Sequence, residues 1–236
     1  MRINLLALGV ATAIMLSACS SAADSGKASF VPAPTPSNGT VTSSTDANKI
    51  NFAQAINASL GKECVEARVP VTPFGGNGPF PVSLSFALPN DAADKEQTER
   101  WNRHVSAPFE ALVKVGLLAR EEVRVKQPLG GMGPGRKYSL TNAGRDALLL
   151  PNSTVFCAGR YKVGEVVQFT EPSKVMGATV SEVGFTFAAV DVPAWASDDT
   201  VQTAFPNVAR ALHGSGEGQA RLVLSGGHWE AELSLF

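Results

Sequence analysis

From about Asn48 onward the apolar positions of the chain follow two different periods. Ile50, Phe52, Ala53, Ile56 and Leu60 fall largely on one side of a helix over residues 47–62, which Gly61 ends. A stretch with five prolines follows from Val65 to Pro89, carrying the Gly-rich segment Phe74–Phe80, which reads as a turn. The short alternation Val82, Leu84, Phe86, Leu88 then predicts a strand. A second helical region opens in the acidic and amide-rich residues 91–98. It continues through Trp101, Val105, Phe109, Leu112 and Val113 and closes at Gly116, with a break expected at Pro108.

After Pro151 the period changes to two. Residues 155–169 read as one long strand bent or bulged at Gly159 and Gly164, and residues 178–190 as another, with one slip in the alternation between Val180 and Val183. Asp191 is the expected cap of a following helix. Pro193 opens that helix, Trp195, Val201, Phe205, Val208 and Leu212 form its apolar stripe, and Pro206 is a point of weakness. Residues 214–218 read as a loop, and the strands 219–224 and 228–235 are joined by Ser225-Gly226-Gly227, a strong hairpin signal. The expected fold class is therefore α+β, ending in an antiparallel β-β-α-β-β half at residues 151–236.

The middle of the chain carries a resemblance. A helix ending in Gly116-Leu117-Leu118 leads to an extended 121–127 and a Gly-rich tip at 129–135. Arg136-Lys137-Tyr138-Ser139-Leu140-Thr141-Asn142-Ala143-Gly144-Arg145 then resembles the return strand and following helix of a winged helix. Independently of that family, Thr141 can cap a helix over residues 142–150 and Gly130 to Gly135 can form a hairpin tip. The resemblance covers residues 91–150 and implies a winged-helix-like half at 48–150. It says little about DNA, because the motif marks a fold rather than a ligand.

The N-terminus has a different character. One cation, Arg2, precedes an apolar run from Ile3 to Leu16, too short to span a bilayer, which takes about 20 apolar residues. The run ends in Leu16-Ser17-Ala18-Cys19, which resembles the lipobox of bacterial lipoproteins. That resemblance implies a signal peptide at 1–18, lipid on Cys19 and attachment to a membrane. Ser20, where lipoproteins kept at an inner membrane often carry Asp, implies an outer-membrane address facing the periplasm. Residues 19–47 then contain hardly any apolar side chains beyond Phe30 and Val31, so they read as a flexible tether.

Composition narrows what the folded part can do. The chain carries 20 Lys and Arg against 21 Asp and Glu, and the folded part is close to neutral, unlike a domain built to grip nucleic acid. Cys64 and Cys157 are the two cysteines left after Cys19. In an oxidising compartment they are expected to form one disulfide, since neither sits in a C-x-x-C or near a histidine in sequence.

His104, His213 and His228 lie far apart without metal-ligand spacing, so no metal or cofactor is implied. The run Gly130–Lys137 lacks the Gly-Lys-Ser/Thr ending of a phosphate loop, and no Gly-x-Ser-x-Gly or Ser-x-x-Lys motif occurs, so no catalytic residue is nominated. The adjacent pairs Glu121–Glu122 and Asp198–Asp199 point to different sides of their elements and read as solvated. Trp101, Trp195 and Trp229 read as core, with Trp229, beside the Gly-Gly turn, the one expected to be exposed.

Two functions compete. The first is a non-enzymatic envelope lipoprotein that binds an envelope protein or a cell-wall component, with no nucleic-acid partner. The second is a small-ligand-binding protein or an unrecognised hydrolase, with a pocket in the C-terminal sheet.

Overall fold

The computed structural model describes residues 43–70, 80–90, 93–127 and 130–234. The expected signal peptide, Cys19, most of the expected tether and the Gly-rich segment 74–79 lie outside them. The chain forms α1 (Lys49–Leu60), β1 (Cys64–Arg68), β2 (Val82–Ser85), α2 (Lys95–Lys114), β3 (Leu118–Lys126) and β4 (Met132–Leu140). These are followed by α3 (Asn142–Ala147), β5 (Val155–Phe169), β6 (Ser173–Val175) and β7 (Ala178–Val190). A 3-10 turn at Ala194–Ser197, α4 (Asp199–Ala204), α5 (Pro206–His213), β8 (Ser215–Ser225) and β9 (His228–Ser234) complete the chain. The fold is α+β and mostly antiparallel, with strand orders β1-β5-β7-β8-β9, β6 attached to β7, and β2-β4-β3.

The larger sheet curls around α1. Val163 of β5 donates its N–H to the Asn57 side chain at 2.9 Å, and the Ser59 hydroxyl donates to the Ala231 carbonyl of β9 at 3.0 Å. Two strands separate β5 from β9, which in a flat sheet would put them about 14 Å apart; a helix of about 10 Å diameter touches both only if the sheet bends. Phe52, Ile56 and Leu60, four residues apart on α1, fill the concave side together with Val166, Val183, Phe185, Leu222 and Trp229. Ile50, expected on that stripe, is 62% exposed, because it stands two residues before Phe52 and so about 200° around the helix from it.

The loop expected at 214–218 is strand from Ser215 on, because β7 rings cover Gly216 and Gly218. A Cβ at Gly216 would meet Phe187 at 2.3 Å and one at Gly218 would meet Phe185 at 2.6 Å, so the missing side chains are the space the rings occupy. The slip in β7 does not exist either: its pairing with β8 runs unbroken from Thr179 to Ala188. Ser181, 1% exposed, takes the inward position, its hydroxyl donating to the Thr170 carbonyl at 2.7 Å. Gly164 does sit at a bulge, where the register with β7 shifts between Val163 and Glu165.

Asp191 caps no helix and adopts φ 52; Asp198 is the N-cap, accepting from the Thr200 N–H at 2.8 Å. The single helix expected there is three short pieces, with Pro206 at the start of α5 rather than inside a helix. Conversely, α2 runs unbroken through Pro108.

The winged-helix expectation is met only in its hairpin. Nine residue pairs join β3 to β4, and Thr141 accepts from the Gly144 N–H at 3.0 Å to cap α3. The second helix that a helix-turn-helix needs is absent among the described residues: α2 alone packs on the three-stranded sheet, while α1 belongs to the other core. The reason lies in β1, a strand the proline-rich composition concealed. It pairs antiparallel with β5, and Cys64 is bonded to Cys157 with Cα atoms 5.4 Å apart, which ties α1 and β1 to the larger sheet.

Candidate functional site

Helix α2 carries the most distinctive surface. Its buried residues, apart from Thr98, gather in the C-terminal half at Ser106, Phe109, Ala111 and Leu112, where Phe109 stacks on Tyr138 at 4.8 Å. The N-terminal half is largely uncovered. Trp101 is therefore 59% exposed and Trp229 only 5%, the reverse of the sequence expectation. Spacing placed Trp101 on the apolar stripe of α2, but spacing carries no information on where the covering sheet stops. Trp229 is covered because Phe52 meets it edge-on at 5.0 Å and its indole N–H donates to the Thr45 carbonyl at 3.2 Å. Trp195 is half-buried against Phe156.

Two clefts flank this helix and share His104. The first, about 460 Å³, is lined by Ala87, Asp94, Gln97, Thr98, Arg100, Trp101 and His104. Its wall is fixed by a pair of bonds, the Ala87 N–H to Asn102 Oδ1 and Asn102 Nδ2 to the Ala87 carbonyl, each 2.9 Å. Thr98 is 8% exposed, and its hydroxyl makes no hydrogen bond among the described residues, so the cleft offers an unmatched donor and acceptor. The second cleft, about 570 Å³, lies between α2 and α4 and is mostly apolar, with Ala107, Ala111, Thr200, Thr203 and Ala204 on its walls and Lys114 at its rim. Lys114 bridges both oxygens of Asp198 at 3.2 Å. Hydrogen bonds from Thr200, side chain then backbone, and the nearby Lys114 hold the Asp198 carboxyl at about 2, below its ordinary range.

Glu110, on the same helix, anchors an ionic network. It accepts from the Tyr138 hydroxyl at 2.6 Å, from Arg120 at 2.8 Å and from Arg136 at 3.0 Å. Arg136 also bonds Glu122 at 2.8 Å and lies 4.9 Å over the Phe86 ring. Burial, together with the adjoining Glu110, pushes the Tyr138 hydroxyl far above a phenol's usual range, so it stays a donor. This network fastens α2 to the β3–β4 hairpin. It also accounts for Glu121 and Glu122, which face opposite sides and pair across the strands with Lys137 and Arg136.

The remaining candidates stay apart. His104 lies 6.3 Å from Trp101, His213 bonds Gln202 at 2.6 Å, and His228 faces Glu230 at 3.3 Å. Among the described residues no three His, Cys, Asp or Glu side chains are placed to hold a metal, and no helix is long and apolar enough to cross a membrane. Gly130 and Gly131 turn a hairpin, not a strand into a helix. On the larger sheet, α1 occupies the concave side. Two hollows on the opposite face, about 280 and 270 Å³, share Gln168, Gly184 and Gln219, and Glu182, which lines the first, is engaged by Arg221 at 2.8 Å. No family model, curated protein or solved structure matches the chain.

Proposed function

We propose that this chain is a lipid-anchored lipoprotein of the bacterial envelope that binds an envelope protein or a cell-wall component and carries out no chemistry of its own. The observation that carries this reading is Leu16-Ser17-Ala18-Cys19 at the end of a short apolar run, followed by a polar tether. The Cys64–Cys157 bridge fits the oxidising side of a membrane, and Ser20 fits an outer-membrane address facing the periplasm.

The contact surface we assign to the partner is the exposed face of α2, where Trp101 and His104 stand between two clefts. A large rigid indole in the open is a common anchor for recognition, since it presents much area at little entropic cost. The competing reading, a ligand or hydrolase pocket in the C-terminal sheet, is disfavoured because α1 fills the concave side where such a pocket would lie. What remains of the winged-helix resemblance, the hairpin and the Thr141 cap, we read as a scaffold that steadies α2, with no nucleic-acid partner.

The anchor is tested with Cys19→Ser, which removes the acyl acceptor. The variant should accumulate with its signal uncut and leave the membrane fraction; equal membrane retention would exclude lipidation at this residue.

A further inference from the structure

The tether joins the fold at one particular end of the large sheet. The Ser44 hydroxyl donates to the Gly227 carbonyl at 2.7 Å, and Trp229 donates to the Thr45 carbonyl, so residues 43–46 lie against the β8–β9 turn. Register places Leu224 opposite both Trp229 and Thr179, so the start of β7 lies at this same end. Val175 pairs with Ala178 across the two-residue turn Met176-Gly177, which therefore projects from this end too.

Both turn residues are left-handed, at φ 49 and 87. A tight hairpin turn of this hand favours Asn, Asp or Gly at its first position, and a long side chain there is sterically disfavoured. Met176 is nevertheless fully exposed, and Val175 beside it is 50% exposed. Ile50, also exposed, stands two residues before Phe52, whose ring meets Trp229.

We propose that this end of the sheet rests on the membrane that holds the Cys19 anchor, with the Val175–Met176 turn dipping into the lipid. The inference rests on the lipoprotein reading above. Residues 20–42 join Cys19 to this end of the sheet, whereas the 13 residues of β7 carry its other end about 40 Å away. The tethered end is thus the one that meets the bilayer most often, and the anchor supplies the local concentration that two exposed apolar side chains could not. Methionine suits the role because its unbranched chain adapts to an irregular apolar phase. Charge does not: Lys174 and Glu171, three residues apart in the chain, are opposite in sign, and His228 faces Glu230, so the contact is apolar and insensitive to salt.

The test uses the acylated mature protein in vesicles of phosphatidylethanolamine and phosphatidylglycerol, spin-labelled through Met176→Cys or, for comparison, through Arg103→Cys on α2. With Cys19 acylated and Cys64 bonded to Cys157, each introduced thiol is free for labelling. The label at 176 should favour collision with lipid-soluble oxygen over a water-soluble nickel chelate several-fold more than the label at 103, at low salt and at about 1 M salt alike. A label placed by Val175→Cys should lose that preference when Met176→Asn is added, a change that suits the turn and removes the apolar tip. Equal water access at 176 and 103 in protein that floats with the vesicles overturns the inference and leaves the anchor standing. Retention of the lipid preference in Met176→Asn overturns the role of the turn. Protein that does not float at all overturns the anchor and this inference with it.

Discussion

Asp198 shows how one residue's role depends on its neighbours. The sequence offers two adjacent acids; the structure makes the first a helix cap and a partner of Lys114, and leaves the second in the first turn of α4. Because the folded carboxyl is held at about 2 against an ordinary 3.8, its contribution is complete above pH 3.8 and is lost as pH falls through about 2. A carboxyl-resolved NMR titration should therefore place its midpoint near the lower figure. Removing the Lys114 charge with Lys114→Met should move the midpoint up, and a midpoint unmoved by that change would show that the ion pair is not felt at this exposed site. Thr141 was legible as a cap because its role is local, needing only the amide three residues on. Trp101 and Trp229 were misassigned because exposure depends on what other segments cover.

At the scale of elements, the long strands β5 and β7 were readable to within a residue, since alternation over a dozen positions leaves little choice of structure. Elements whose stability comes from partners were not. The strand β1 exists through β5 and the disulfide, and the glycines of β8 are held as strand by rings from β7. The β3–β4 hairpin and α2 carry basic residues that would suit DNA, yet the glutamates of the same segment are paired with them: Glu96 with Arg100, Glu99 with Arg103, Glu121 with Lys137, and Glu110 and Glu122 with Arg120 and Arg136. Few cations remain to displace counterions from phosphate. The lipid-free chain should show no submicromolar affinity for duplex DNA near physiological salt. Tight binding with a steep fall as salt rises would reverse the assignment of this segment as a scaffold.

At the scale of the whole molecule, β7 runs from the end of the large sheet that Ser44 and Thr45 meet, at Ala178, to the core shared by α2, α5 and the smaller sheet, against which Ala189 and Val192 pack. The face of α2 proposed to meet a partner thus belongs to the part farther from the proposed membrane contact. One covalent link spans the middle, closing a sequence separation of 93 residues. In the chain-entropy account its loss costs about 4 to 5 kcal/mol. Cys64→Ala combined with Cys157→Ala should lower the urea midpoint accordingly, and wild-type protein should shift equally on reduction. An unchanged midpoint in both would mean that β1 stays on β5 by pairing alone. The bridge could be assigned from the sequence because two thiols allow a single pairing. By itself the sequence determined the positions of most helices and strands, which follow from local chemistry and the spacing of neighbours. Only the tertiary structure decided that α1 is wrapped by the sheet, that α1 and α2 belong to different cores and that Trp101 and Met176 face outward, because burial is set by segments distant along the chain.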